Sequence, residues 1–156
     1  MKPNIGLSDK QRAGVVDILN AVLADEFVLY VKTRNFHWNV VGTDFSELHK
    51  FFEEQYESLD EVVDEVAERA RSLGGEAAGA LKTYLGLTRL KEHTSRRSSS
   101  AVMLKQLLAD HEALIAQLRR DVAACSRLGD EGTTDFLTGL MEQHEKIAWM
   151  IRSYLE

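Results

Sequence analysis

The sequence predicts an all-α protein, a bundle of four long helices with a long connection between the second and the third. The one Pro among the 156 residues stands at position 3, and a chain that keeps Pro out of its interior is typical of long helices. Four segments carry apolar residues at intervals of three and four, the spacing that gives a helix one apolar face. The length suits a single domain over residues 1–156.

A short turn joins the first two predicted helices. Ser8 and Gln11 form a capping-box pattern, which marks the start of a helix, and the apolar spacing continues over about residues 8–37. A second helix is predicted over about residues 44–73, where Gly74 and the glycine after it supply a C-terminal stop signal. Such a helix, of about 30 residues, is about 45 Å long.

The last two helices are predicted over about residues 100–128 and 133–155, with Gly129 between them. The connection before them, about 25 residues long, is sufficient to run along the whole bundle. It carries a short predicted helix over residues 81–90, and the segment 94–100 (TSRRSSS) is predicted to be a loop. The four helices therefore form two hairpins joined by a crossover.

Composition limits the classes of function. A net charge of −6 argues against strong binding to DNA backbones, which requires clustered Lys and Arg. No apolar run approaches the roughly 20 residues that cross a membrane, and the N-terminal residues lack the apolar segment of a signal peptide. Cys125, the single cysteine, fits a reducing compartment. We expect a cytoplasmic protein without a membrane partner.

Histidines and carboxylates on the second helix indicate metal binding. No Asp or Glu has a His three residues later, so the usual di-iron centre inside a bundle is not expected. Instead, His49 and Glu53 form one pair four residues apart, and Asp64 and Glu68 form another, and residues at this spacing lie on one helix face. The two pairs stand about 15 residues apart, roughly 22 Å along the axis, so they cannot share a metal within one chain.

Two antiparallel copies of this helix would bring the pairs together. About a twofold axis, the numbers of facing residues add to a constant, and both His49 with Glu68 and Glu53 with Asp64 give 117. The axis then passes near residues 58–59. A twofold interface is isologous, so the site would occur twice in each dimer.

Plainer interpretations remain open for these residues. The acidic residues of the second helix could form a solvated face, and His37, beside the end of the first helix, could be an ordinary buried histidine. We expect His111 and His144 to be surface histidines, and His93 has no evident partner. What favours metal binding is the combination of a histidine on the first helix with both pairs on the second.

Three motifs in these helices resemble the Dps family, the dodecameric mini-ferritins that protect DNA in starved bacteria. They are His37-Trp38-Asn39, FSELHKFFE at residues 45–53, and DEVAERARSLGG at residues 64–75. The similarity in helix order and spacing extends over residues 8–155. The resemblance implies that the four-helix bundle is ferritin-like.

The resemblance also implies a ferroxidase centre at a twofold dimer interface. His37, His49 and Glu53 would come from one subunit, and Asp64 and Glu68 from its neighbour. In family terms Glu68 bridges two irons, ferrous iron is oxidised by hydrogen peroxide or oxygen, and ferric mineral collects inside a dodecameric shell, which protects the cell against oxidative damage. Mixed imidazole and carboxylate ligands suit iron, and zinc, manganese or cobalt can occupy such a site.

Five further residues are compared with the family pattern. Glu53 stands where some members carry Asp, which is one methylene shorter. Trp38 is similar to a family tryptophan thought to intercept stray radicals, with packing in the core as its alternative role. Asp130, Asp135 and Glu145 are candidates for lining iron-entry pores in the shell, with a solvated surface as the alternative.

A second hypothesis is a non-enzymatic, DNA-compacting protein of starved cells. Family members that bind DNA directly often use a Lys-rich terminal tail, whereas here only Lys2 precedes the first helix and no basic tail follows the last one. Arg96 and Arg97 could add a small basic patch. We therefore expect direct DNA binding to be weak or absent. A metal-free helical interaction module, the third hypothesis, leaves the spacing of the histidines and carboxylates unexplained.

Overall fold

The structure, a computed structural model, describes residues 2–95 and 98–156. All regular secondary structure in these residues is helical, and none of these helices is long and apolar enough to cross a membrane. The helix boundaries agree with the predicted ones to within one helical turn. Arg96 and Arg97, the predicted basic patch, lie outside the described residues. The helices are α1 Asp9–Asn39, α2 Phe45–Ser72, α3 Leu81–Leu87, α4 Ser100–Arg127 and α5 Glu131–Leu155.

The four long helices form the predicted bundle. α1 packs along α2, α4 packs along α5, and the short α3 of the crossover lies against α1. The apolar faces predicted from spacing meet in one core, and its largest fully buried side chains come from all four long helices. The prediction of an all-α four-helix bundle with a short helix in its crossover is confirmed. These core side chains include Leu19, Leu23, Phe36, Phe52, Leu59, Leu114, Leu118 and Leu137.

Capping groups fix where the helices begin and end. The Ser8 hydroxyl accepts a hydrogen bond from the Gln11 backbone, and the Gln11 side chain accepts one from the Ser8 backbone, so the predicted capping box is present. Gly74 and Gly129 follow α2 and α4 with φ of +83° and +78°. Only glycine adopts that backbone conformation without a steric penalty, which explains why both helices stop there.

One buried carboxylate anchors the crossover. Asp25 on α1 is fully buried and accepts hydrogen bonds from the Thr88 hydroxyl at 2.9 Å, the Arg89 backbone at 2.5 Å and Arg89 Nε at 2.7 Å. Arg89 also donates to Asp121 on α4 at 2.8 Å. Because a buried carboxylate is stable only when it is paired, this cluster holds the end of α3 against two helices of the bundle.

His111 and His144 are not surface residues, and that prediction was wrong. Each is only 1% exposed. Nδ1 of His111 lies 2.9 Å from Nδ1 of His144, and Nε2 of His144 lies 2.9 Å from Oε1 of the fully buried Glu26. The sequence signal was their position three or four residues from core leucines, as with Leu107 before His111, which places both on the apolar stripes of their helices.

We expect the buried histidine pair to make stability depend on pH. Burial, and next the neighbouring His144, hold the pKa of His111 well below its ordinary value. A depressed pKa contributes stability that is present above the unfolded-state pKa of about 6.5 and is lost as pH falls below it, by at most about 1.4 kcal/mol per pH unit for one proton. Denaturant unfolding at pH 7.5 and 5.5 measures this loss.

His111→Leu should reduce the pH dependence of the unfolding free energy, because leucine cannot take up the proton. His93→Gln, at a half-buried position in the crossover, is the matched control for the loss of one histidine, and His111→Leu should reduce the pH dependence more than this control does. An unchanged pH dependence in His111→Leu would contradict this account of the pair.

Candidate metal centre

Two predicted ligands meet where α1 ends and α2 begins. His37 lies in the last turn of α1 and His49 in the second turn of α2. The turn between the helices brings their rings into a stack, with centroids 3.8 Å apart and planes inclined by 22°. His37 is buried and His49 is half-buried, so one edge of the pair remains open to the surface.

The hydrogen bonds of the two rings are reciprocal. Nδ1 of His37 lies 2.8 Å from the backbone carbonyl oxygen of His49, and Nδ1 of His49 lies 2.9 Å from that of His37. A carbonyl oxygen only accepts, so each Nδ1 carries the proton and donates. Each Nε2 of a neutral ring is therefore left with its lone pair, the arrangement in which histidine binds a metal.

Glu53 joins the histidines one turn further along α2. Its Oε1 lies 3.4 Å from the Tyr56 hydroxyl, and Tyr56 also packs edge-on against the His37 ring, with centroids 5.1 Å apart. The half-site formed by His37, His49 and Glu53, called the histidine half below, therefore supplies two imidazole nitrogens and one carboxylate. These ligand types suit divalent transition metals.

Asp64 and Glu68, the carboxylate half, lie toward the other end of α2. Both are exposed, and among the residues that the structure describes neither forms an ion pair or a hydrogen bond. Asp64 borders a surface depression whose lining includes Tyr84 of the crossover and Leu23 of α1. Two unpaired carboxylates one turn apart on one face can act as ligands without first losing a protein partner.

The structure brings His37 and His49 into contact, connects Glu53 to them through Tyr56, and leaves Asp64 and Glu68 apart. The distance along α2 from His49 to Asp64 is 15 residues, about 22 Å at the helical rise. Within the described part of one chain, no group of three or more His, Cys, Asp or Glu side chains is arranged to hold a metal ion.

Arg34 and Tyr30 pack on Tyr56 beside the histidine half, a cluster that the sequence did not predict; Tyr56 itself was expected to supply apolar contacts near the twofold axis. The Arg34 guanidinium carbon lies 4.6 Å from the ring centroid of Tyr56, 5.5 Å from that of Trp38 and 5.7 Å from that of Tyr30. The available signal was spacing: Tyr30, Arg34 and Trp38 recur every four residues on α1. Trp38 itself is 66% exposed, so the alternative that it packs in the core of this chain is wrong.

The three pore candidates have different surroundings. Asp130 is only 4% exposed; it caps α5 through the Thr133 backbone at 3.0 Å and pairs with Arg69 of α2 at 2.9 Å. The solvated-surface alternative is therefore wrong for Asp130. Asp135 is exposed, whereas Glu145 is half-buried and pairs with an arginine of α4, Arg119.

Comparison with known proteins identifies the class of protein to which the chain belongs. A model of the ferritin-like domain family matches residues 16–156, so the chain belongs to the ferritin-like proteins. It is 52% identical to an uncharacterised low temperature-induced protein of Nostoc sp., over 98% of this chain and 86% of the relative.

Two further relatives narrow the family. The chain is 35% identical to DNA protection during starvation protein 2 of Bacillus anthracis, over 90% of this chain and 96% of that protein. It also matches the crystal structure of the Dps protein from Vibrio cholerae O1, with a TM-score of 0.93 and 33% identity over 99% of this chain and 97% of that one. That structure is described as a member of the ferritin-like diiron-carboxylate proteins. Within the ferritin-like proteins, the chain belongs to the Dps family.

Asp130→Ala should destabilise the protein, because it removes the cap of α5 and the partner of Arg69. We expect a loss of about 1–3 kcal/mol in the free energy of unfolding, measured by denaturant titration. Asp135→Ala is the matched control at an exposed position of the same helix and should change stability by less than about 0.5 kcal/mol. Equal stability of the two variants would show that Asp130 has no structural role.

Proposed function

We propose that the protein is an iron-oxidising and iron-storing mini-ferritin, a ferroxidase whose di-iron site is shared between two copies of the chain. The observation that carries the proposal is the reciprocal bonding of His37 and His49. Both Nδ1 atoms are committed to backbone carbonyls, so both Nε2 atoms keep a lone pair for an ion, and Glu53 follows one turn further along α2. These three residues do not make a complete di-iron site in one chain. In the proposal, the exposed carboxylate half of a second copy supplies the remaining ligands.

A twofold axis near residues 58–59 of α2 completes the site. It sets the α2 helices of two copies antiparallel, so that His49 and Glu53 of one copy face Glu68 and Asp64 of the other. The interface is isologous, and each dimer then contains two equivalent sites. Because α2 is a single continuous helix, it holds the two half-sites at a fixed separation.

Exposed apolar side chains beside the carboxylate half support burial against a second copy. Leu81 and Leu85 of α3 are 68% and 52% exposed, and Val31 of α1 is 44% exposed. Leu81, Leu85 and Val31 line a pocket together with Tyr84, and Tyr84 also borders the depression that contains Asp64. An apolar surface that adjoins half of a shared site is expected to be covered in the assembly.

The iron is the substrate of this site. By family resemblance, His37 and Asp64 hold one ferrous ion, His49 and Glu53 hold the other, and Glu68 bridges them. Two adjacent ferrous ions supply two electrons to one hydrogen peroxide molecule, whose O–O bond breaks; with two protons the products are two ferric ions and two waters. A paired transfer avoids the one-electron reduction that releases hydroxyl radical.

We extend the proposal to the assembly that such a site serves. Twelve subunits built from the twofold dimers would enclose a hollow that stores ferric mineral. Asp135 is the best placed of the pore candidates because its side chain is exposed, whereas Asp130 is committed to Arg69. Protection from oxidative damage follows from removing ferrous iron and peroxide together, and it agrees with the name of the Bacillus anthracis relative.

Ferrous oxidation by peroxide tests the proposal. In the purified assembly, we expect His49→Ala and Glu68→Ala each to slow the formation of ferric absorbance at least about tenfold, since each removes a ligand that cannot be replaced by its neighbours. Glu65→Ala is the matched control: it removes an exposed carboxylate of the same helix that lies outside both ligand pairs. Wild-type rates in both ligand variants would refute the proposed site.

Mixing the two inactive variants tests whether the site is shared. In a dimer of His49→Ala with Glu68→Ala, one site combines the intact histidine half of the second chain with the intact carboxylate half of the first. Random pairing therefore restores about a quarter of the wild-type sites. Sites contained within one chain would regain nothing on mixing, so activity that stays at the level of the separate variants excludes sharing.

A further inference from the structure

We propose that Tyr56 is a positioning residue that orients the Glu53 carboxylate and supports the His37 ring, and so sets the affinity of the histidine half for its metal ions. The inference rests on the proposed function, because Glu53 and His37 are ligands only within that proposal. It adds a residue to which the family resemblance assigned no role.

Tyr56 contacts two proposed ligands through two different parts of its side chain. Its hydroxyl lies 3.4 Å from Oε1 of Glu53 and donates to it. Its ring lies edge-on to the His37 imidazole, with centroids 5.1 Å apart and planes inclined by 76°. The hydroxyl therefore acts on the ion that Glu53 holds, whereas the ring acts on the ion that His37 holds.

Arg34 keeps Tyr56 in this position. The guanidinium lies over the Tyr56 ring at 4.6 Å, the shortest of its three ring contacts, and its Nη1 donates to the Tyr30 hydroxyl at 2.5 Å. Tyr30 meets Tyr56 edge-on, with centroids 6.3 Å apart. Since a cation over an aromatic face is attracted to the ring, these contacts on α1 restrain a side chain that belongs to α2.

The length of the Glu53 side chain explains why such a restraint would matter for metal binding. Glu53 has one more rotatable bond than the Asp found in some family members, so its carboxylate loses more conformational freedom when it binds a metal. A hydroxyl that donates to Oε1 limits this freedom and leaves Oε2 to face the ion.

Cobalt(II) titration of the assembled full-length protein, followed by visible absorbance, tests the inference without iron oxidation. Tyr56→Phe removes only the hydroxyl, so we expect one of the two binding steps to weaken about three- to tenfold, as for the loss of one hydrogen bond of ordinary strength. The other step should stay within twofold of wild type. Tyr56→Leu removes the ring as well and should weaken both steps.

Controls separate this inference from the proposed site. Tyr154→Phe removes a hydroxyl from α5 whose ring packs against Phe51 of α2 and not against a proposed ligand, and it should leave both steps unchanged. Glu53→Gln and Glu68→Gln test the site itself; if neither weakens cobalt binding, the proposed function fails. If both weaken it while Tyr56→Phe matches wild type, or if Tyr56→Phe weakens both steps equally, the role assigned to Tyr56 is overturned and the shared site stands.

A double-variant cycle tests whether Tyr56 acts through Glu53. If the hydroxyl only orients that carboxylate, Tyr56→Phe should weaken cobalt binding little further when Glu53→Gln is already present. Full additivity of the two substitutions would show that the hydroxyl acts elsewhere and would overturn the inference. Phenylalanine conserves the shape of the ring, so the cycle is measured on variants in which the packing around His37 is retained.

Discussion

The rigidity of α2 is the constraint on which the proposed chemistry depends. A continuous helix fixes the axial separation of its side chains at about 1.5 Å per residue, and α2 runs unbroken from Phe45 to Ser72. The histidine half and the carboxylate half therefore cannot approach each other by any motion of one folded chain. In the proposed function another copy supplies the remaining ligands, so the proposed catalysis would require assembly.

The histidine half is prepared for an ion before any partner arrives. The reciprocal bonds between His37 and His49 connect the end of α1 with the start of α2. The last carbonyls of a helix lack donors from their own helix. The bond from His49 to the His37 carbonyl therefore satisfies one of these carbonyls at the end of α1, and it also fixes the tautomer of His49. The interaction that closes the α1–α2 hairpin therefore also selects the ring nitrogen that is left for the metal.

The sequence predicted the bundle because apolar spacing, caps and glycine stops all act locally. It also predicted that His37 and His49 lie close together, and they do, since the first helix ends just before the second begins; their role as ligands with Glu53 stays a prediction. It failed at His111 and His144, where a polar residue occupies an apolar stripe and only the facing helices reveal its partners. The contacts of Arg34 and Tyr30 with Tyr56 were not predicted for the same reason, because contacts between α1 and α2 depend on how the two helices are rotated against each other.

Placing the ligands at an interface changes the energetic problem of a carboxylate-rich site. Buried in the core, such carboxylates would cost several kcal/mol each in desolvation unless paired, and the fully buried Asp25 and Glu26 are each bonded to a partner, Arg89 and His144. On the surface of the single chain, Asp64 and Glu68 are exposed to solvent. Under the proposed function, a second copy would cover them, and the ion that they bind would offset their desolvation. By linkage, any ion that binds the shared site must stabilise the dimer over its separate chains, so metal supply and assembly favour each other.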